Sequence, residues 1–453
     1  MERQSQFKYQ QATITSDRDE DLFIDIRQTV VEMTFYESLD KPYVTGQIAV
    51  SDDAGFFDAL QFSGTERLNI KMNTELSATG ETEEVVMDRS FLLTSIDNIV
   101  KSAGSGNSAI YVLSFIDEHA FVSKTKNVSR AVRDNLTKEI LKLCQNEVGK
   151  NVDLSYAGES VQSNFKGVIP YMHPLEAATW LTKKATSKHG MPFFLYASIH
   201  DTNLRLGSLD VMLQQNAWNS QVPFIFSPAN TNAQEEQGDP TLQYFQVQTM
   251  KATKLQDTMK QMMAGGIGSL YTVTDLGNGQ TTAQHFNLLN LLERANDDGI
   301  INTERQNVYD PNYRTPVIED VNIGGEAIHE TDNEIVHNVV SRGVYGLKKS
   351  LHDEVSPEMF LKKVESMAYR NAIFKNLMDV TVPGPGFIAS GGSVGDKIRI
   401  NVLNDNNNSE DPDQLDKLRS GDFLVYNTRH VFRGTRHDVA MTVFKLERGP
   451  NID

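Results

Sequence analysis

Residues 44–51 read Val-Thr-Gly-Gln-Ile-Ala-Val-Ser. Val44, Gly46, Ile48 and Val50 alternate with Thr45, Gln47, Ala49 and Ser51, and a period of two sorts the two sets onto opposite faces of a sheet. The same alternation recurs nearby. Leu68, Ile70 and Met72 alternate with Arg67, Asn69, Lys71 and Asn73, Val31, Met33 and Phe35 with Glu32 and Thr34, and Tyr111, Leu113 and Phe115 with Val112 and Ser114. Turn-forming runs separate these stretches, among them Ser51-Asp52-Asp53-Ala54-Gly55 and Gly104-Ser105-Gly106-Asn107. Short one-sided strands with turns between them predict a sandwich or barrel over residues 1–119.

The period changes near residue 128. Val132, Leu136, Ile140, Leu143 and Val148 follow at helical spacing, with Ser129 as the expected N-cap and Gly149 as the stop. Pro174 opens a second expected helix carrying Leu175, Ala178, Leu181 and Ala185, which Gly190 is expected to end. Met191–Ile199 reads as a buried strand. Residues 120–232 thus form an expected α/β insert. A polar linker at Ser227–Asp239, a helix at Lys254–Met263 and a strand at Leu270–Val273 come next. Residues 277–356 read as an extended connection with little core of its own, and Glu358–Lys375 as a helix. Residues 376–453 return to strands. Ile398, Ile400 and Val402 alternate with Lys397, Arg399 and Asn401, and Ala440, Thr442, Phe444 and Leu446 with Met441, Val443 and Lys445. The expected fold class is α+β and β-rich. Two barrel modules, 1–119 and 376–453 (the latter with part of 233–276), flank the insert at 120–232 and a connecting region at 233–375.

The 453 residues suffice for two to four domains. Net charge is −17, from 43 Lys+Arg against 60 Asp+Glu, which argues against tight binding to nucleic acid or an anionic membrane. The single cysteine, Cys144, allows no intrachain disulfide and is expected to be a buried, inert thiol. The N-terminus lacks the apolar core of a signal peptide, and no run of about 18 apolar residues occurs, so no membrane anchor is expected.

Each catalytic pattern lacks its context. Gly391-Gly392-Ser393-Val394-Gly395 matches G-x-S-x-G, but a strand follows the serine where a nucleophile elbow needs a helix. Asp405, Asn407, Ser409, Asp411, Asp413 and Asp416 fall on calcium-loop spacing, yet Glu410 stands where the sharp turn needs glycine. His329 and His337 are eight apart, and His430 and His437 seven apart, wider than the close pairs zinc sites favour. His430 reads as a packed or interfacial strand histidine. Asp17, Arg18, Asp19, Glu20 and Asp21 read as a solvated face. There is no P-loop and no G-x-G-x-x-G fingerprint. No enzyme, cofactor or metal site is expected.

Four groups of residues resemble the baseplate hub proteins of contractile-tailed bacteriophages. They are Phe35–Asp40 continuing through Pro42, Thr45–Ile48 and Ser51-Asp52; Ser63–Glu66 with the strand Leu68–Met72; Ile169–Ala177 with Trp180-Leu181 and Pro192–Phe194; and Gly395–Ile398 with Ser420–Val425 and His430. The positions carrying the pattern are Glu37, Gly46, Asp52, Gly64, Pro174, Trp180, Gly395, Gly421 and His430. Residues 277–356 and the acidic stretch 404–416 match nothing in that family. The resemblance implies two tube-like barrels per chain and a homotrimer whose six barrels adapt a threefold central spike to a sixfold tail tube. It also implies a place in the virion baseplate after assembly in host cytoplasm. Expected partners are the spike, tail tube or tube-initiator proteins and baseplate wedge proteins. The alternatives are the hub of a contractile injection or secretion machine, a tail-associated cell-wall hydrolase, and a carbohydrate-binding module. A fused needle-like β repeat would favour the first, and none follows the last strand. A carboxylate or metal constellation would favour the second, and clustered exposed aromatics the third.

Overall fold

The computed structural model describes residues 7–16, 18–53, 55, 62–74, 85–101, 109–160, 165–227, 244–252, 259, 268–275, 281–301, 322–323, 326–327, 335–340, 357–373, 377–388, 391–403, 415–416 and 419–446. Expectations for the Ser227–Asp239 linker beyond Ser227, the Lys254–Met263 helix apart from Met259, the 104–107 turn and most of 404–416 lie outside the described residues. So do His329 and Asp17.

Seven antiparallel strands form the first module: β1 (Phe7–Ser16), β2 (Asp19–Asp25), β3 (Val30–Ser38), β4 (Thr45–Asp52), β5 (Arg67–Thr74), β6 (Val85–Lys101) and β7 (Ala109–Asp117). Their order is β3-β4-β7-β6-β5-β1-β2. The alternating sets land as the period requires: Ile48, Val50, Leu68, Ile70, Met72, Tyr111, Leu113 and Phe115 are all buried. Val31 departs from the pattern and is exposed. The register of β3 on β4 shifts between Val30 and Glu32, and this bulge turns Val31 off the inner face.

The insert holds α1 (Glu118–Lys124), β8 (Ala131–Asp134), α2 (Leu136–Lys142), β9 (Val152–Asp153), β10 (Phe165–Val168), α3 (Pro174–Thr182), β11 (Phe193–Ala197), β12 (Leu204–Ser208) and α4 (Leu209–Gln214). Two expected helix boundaries are corrected. The first helix begins at Leu136, capped by Asn135 whose side chain accepts from Thr137 N, and Val132 belongs to β8, which pairs with β10. It continues as a π turn through Val148 and stops at Gly149 with φ 75°. The second helix has Pro174 in its first turn but ends at Thr182, and Gly190 (φ 79°) serves the turn before β11. Cys144 is buried, and burial pushes its thiol up to about 12.

β13 (Phe224–Phe226) and β14 (Thr249–Ala252) come next. The stretch expected to be an extended connection is structured in part. It contains β16 (Thr281–Asn287), α5 (Leu288–Asp297), the short pair β17 (Asn322–Ile323) and β18 (Glu326–Ala327), and β19 (Ile335–Val340), while β15 (Gly268–Asp275) precedes it and covers the expected strand Leu270–Val273. α6 (Pro357–Ile373) follows. Leu288, Leu291, Leu292, Ala295, Ile300 and Ile301 are buried in the main core, so 281–301 is a packed element. Tyr369 on α6 donates to Leu291 O at 3.1 Å.

The second module adds β20 (Leu377–Pro383), α7 (Gly384–Ile388), β21 (Lys397–Val402), β22 (Gly421–Arg433) and β23 (Arg436–Phe444). Its strands run β14-β20-β23-β22-β21-β13. Ile225 bridges Gln246 in parallel and Val247 N donates to Ile225 O at 2.8 Å, which brings β13 back to the chain entering β14 and closes a barrel. Phe224, Val380, Val382, Ile398, Ile400, Val425, Val439, Met441 and Val443 fill it. β13 therefore belongs to this barrel, and the insert ends before residue 224, not at 232.

β22 joins the modules. Its first half pairs with β21 (Lys397↔Leu424 to Ile400↔Gly421) and its second half with β3 (Asn427↔Ser38 to Arg433↔Glu32). The register against β23 shifts between Val425 and Asn427, where the strand changes partner. A single sheet thus runs through both modules. It curls far enough that Phe7 on β1 meets Phe432 on β22, ring centroids 5.0 Å apart.

Candidate functional site: a buried polar junction

The partner change in β22 sets Thr428 opposite Glu37 and His430 opposite Phe35. With a side-chain period of two, Thr428, His430 and Phe432 share the inner face with Glu37 and Phe35. Glu37 is fully buried there and needs partners. Its Oε1 accepts from Ile199 N (2.8 Å) and Ser393 Oγ (2.9 Å), and its Oε2 from Thr428 Oγ1 (2.5 Å) and His430 Nε2 (3.2 Å). These donors come from the insert, the turn before β21, and β22. Burial alone would raise the Glu37 pKa. The hydrogen bonds and charge of His430, with Thr428, outweigh burial and hold it at about 2.

A second rank surrounds this carboxylate. His430 Nδ1 lies 3.3 Å from His437 Nε2, and the Phe432 and His437 rings stack at 3.9 Å. Burial first, then the neighbouring His430 and His200, drive the His437 pKa well below its usual range. His200 reaches Gly392 O at 3.0 Å, and Ser393 Oγ is 2.8 Å from Ser198 Oγ. Asp396 accepts from Ser393 N, and burial raises its pKa to about 6 against the opposing pull of Arg205. The 198–201 segment is gripped from the first module too. Arg89 on β6 donates to Ser198 O (2.6 Å) and Asp201 O (2.5 Å) and pairs with Asp117, whose other oxygen accepts from Val44 N at 2.7 Å.

Chemically this is a lock. Ser393 donates to a carboxylate; the histidine bonded to that carboxylate is bonded to its other oxygen, and Ser393, His430 and Glu37 are sealed from solvent. A nucleophile needs its base within hydrogen-bond reach and an open approach. Among the described residues, no group of three or more His, Cys, Asp or Glu side chains is arranged to hold a metal ion. No helix among them is long and apolar enough to cross a membrane.

Of the nine pattern positions, the fold brings Glu37 and His430 into contact and Gly395 close by. Gly395 has φ 88°, and a Cβ there would come within 2.6 Å of the Tyr196 hydroxyl. Gly46 lets β4 pass the Phe115 ring and Thr34 O, which a Cβ would overlap. Gly64 (φ 80°) shapes a turn whose Ser63, Gly64 and Thr65 N–H groups all donate to buried Glu66. Asp52 accepts from Gly55 N, Gly421 opens β22, and Pro174 opens α3. Trp180 is half-buried beside an apolar groove of about 580 Å³ between the first module and the insert, with Lys184 Nζ 4.3 Å from its ring centre. Sequence reading missed Arg89, Asp117, Ser198, His200 and Thr428. It set His430 and His437 aside for their spacing, which a hairpin folds into contact.

No family model and no curated protein matches the chain. Among solved structures it is similar to the tail protein from Neisseria meningitidis MC58, with TM-score 0.46 and 12% identity over 97% of each chain. It is also similar to the 43 kDa tail protein of prophage MuSo2 from Shewanella oneidensis, with TM-score 0.47 and 10% identity over 96% of this chain and 98% of that one. A third is a type VI secretion system component of E. coli, with TM-score 0.39 and 7% identity over 97% of this chain and 76% of the other.

Proposed function

We propose that the chain is a structural, non-catalytic subunit of a phage-type contractile tail. It forms the baseplate hub, a homotrimeric ring between a threefold central spike and a sixfold tail tube in the virion. The observation that carries this reading is β22. By pairing with β21 and then β3, it fixes two β modules side by side on one sheet. Two modules per chain turn three chains into six positions, which is what an adaptor between threefold and sixfold partners requires. The buried Glu37 junction supports the same reading, because it ties the insert and both modules into one body able to transmit load. The sealed surroundings of Ser393 favour a structural role over a hydrolytic one. Beyond the spike, the partners in this reading are tube or tube-initiator proteins and baseplate wedge proteins. The net charge of −17 suits a channel that DNA crosses without sticking.

Mass measurement in solution with particle imaging tests the proposal. The expected result is a particle of three times the 50.7 kDa chain with a threefold ring and a central pore. A monomer at all concentrations, or one that cleaves peptidoglycan, would sink it.

A further inference from the structure

The groove of about 580 Å³ between the first module and the insert takes no part in the Glu37 junction. The turn 40–43, α1 and α3 wall it. Its lining is mainly apolar, from Tyr43, Ile116, Phe121, Met172, Leu175 and Trp180, and Phe121 is 40% exposed. The walls are braced on one another. His119 Nε2 on α1 donates to Pro42 O at 2.7 Å, Leu175 N on α3 donates to Ser123 Oγ on α1 at 3.0 Å, and Lys124 on α1 pairs with Glu176 on α3. The groove therefore stands formed in the single chain, and a guest has little left to order. Charge around it runs against the chain as a whole. Both carboxylates in its lining are engaged, Glu176 by Lys124, and Asp40 by the Tyr426 hydroxyl and by Arg370 at 3.5 Å. Lys41 and Lys183 also line it, are exposed, and have no carboxylate partner among the described residues. Lys184 lies over the Trp180 ring, and burial, with the charge of nearby Lys363, pushes its pKa down to about 8.

An apolar groove rimmed by unpaired cations, on a chain of net charge −17, is complementary to a guest that is both apolar and acidic. We infer that this groove docks a segment of a different protein, one in which an aromatic or aliphatic side chain is flanked by aspartate or glutamate. The apolar lining receives the side chain, and Lys41 and Lys183 meet the carboxylates. The charge selects this occupant, since a purely apolar guest would leave the lysines unmatched and a basic one would be repelled. The chain's own exposed apolar side chains fit less well, because carboxylates near them are engaged. Asp25, near Phe23, is ion-paired to Arg27 at 2.6 Å, and Glu32, next to Val31, is paired with Arg433. The inference goes beyond the ring reading and needs only the folded chain.

Panning a displayed random-peptide library on the full chain tests it without presupposing the partner's sequence. Enriched peptides should set Phe, Trp, Leu or Ile beside Asp or Glu. Their binding should be lost with Trp180→Ala, and should weaken about 10-fold with the double variant Lys41→Glu, Lys183→Glu. High salt should weaken it as well. Both lysines are exposed, so the double variant should keep the unfolding midpoint of the unmodified chain, and Lys41→Ala with Lys183→Ala replaces it if it does not. Enrichment of basic or purely apolar peptides overturns the inference, as does no enrichment, or binding that ignores the lysine variants. Acrylamide quenching of Trp180 in the unmodified chain separates the remaining occupant. If self-association shields Trp180, the groove is a contact between copies and the inference falls. A persistent monomer overturns the ring reading and leaves the docking result to stand by itself.

Discussion

At the residue scale, Glu37 decides how the units hold together. Its carboxylate is buried, charged, and bonded to donors from the insert, the turn before β21 and β22. Removing it leaves those donors and His430 without an acceptor, so Glu37→Ala should cost about 3–5 kcal/mol, measured by denaturant unfolding. The same junction makes stability depend on pH. His437 and His119 have folded pKa values below the usual 6.5, both chiefly through burial. Their contribution is full above 6.5 and is lost as pH falls below it. Glu37 contributes above 4.5 and loses that contribution as pH falls toward 2. Asp396 acts in the opposite sense: its pKa is raised from 3.8 to about 6, so its contribution grows as pH drops through that window. With two histidines against one carboxyl, the melting temperature should fall between pH 7 and pH 5. His437→Gln should flatten that slope, whatever it does to stability at pH 7, and an unchanged slope would remove His437 from the account.

Elements were legible wherever one face meets the core and the other meets water. β4, β5 and β7 follow their alternation because each packs inward on one side only. The reading failed where a neighbour intervened: the bulge against β4 exposed Val31, and pairing with β10 drew Val132 into a strand. Gly46 shows what alternation does not state. Any side chain there would collide with Phe115 and the β3 backbone, so Gly46→Ala should destabilise by about 1–3 kcal/mol, read from the unfolding midpoint. Trp180 is only partly buried. A fully buried ring would cost about 3–5 kcal/mol on truncation. The half-buried ring on α3 should cost Trp180→Ala only about 2 kcal/mol, while its fluorescence reports on the adjoining groove.

For the whole molecule, the shared strand predicts cooperativity. The second barrel draws β13, β14 and β20 to β23 from residues 224 to 444, and half of β22 belongs equally to β3. Without β22, the β3 edge of the first module is uncovered among the described strands. Calorimetry should show one transition for the joined modules, and a chain beginning at residue 244, which lacks β13, should fail to give a folded second barrel. Two well-separated transitions would show that the β22–β3 pairing contributes little.

By itself the sequence determined the β-rich class, the α/β insert and the buried face of β4, β5 and β7, because these depend on local period and on turn residues within a few positions. It also singled out Glu37, Ser393, His430 and His437, though as separate features. Only the tertiary structure decided that they are one site. The Glu37–His430 contact spans 393 positions, and the Ser393–Glu37 hydrogen bond spans 356. No local pattern encodes such a pairing. It exists because β22 changes partners at one bulge, and sequence period cannot say which strand lies on the other side of an edge.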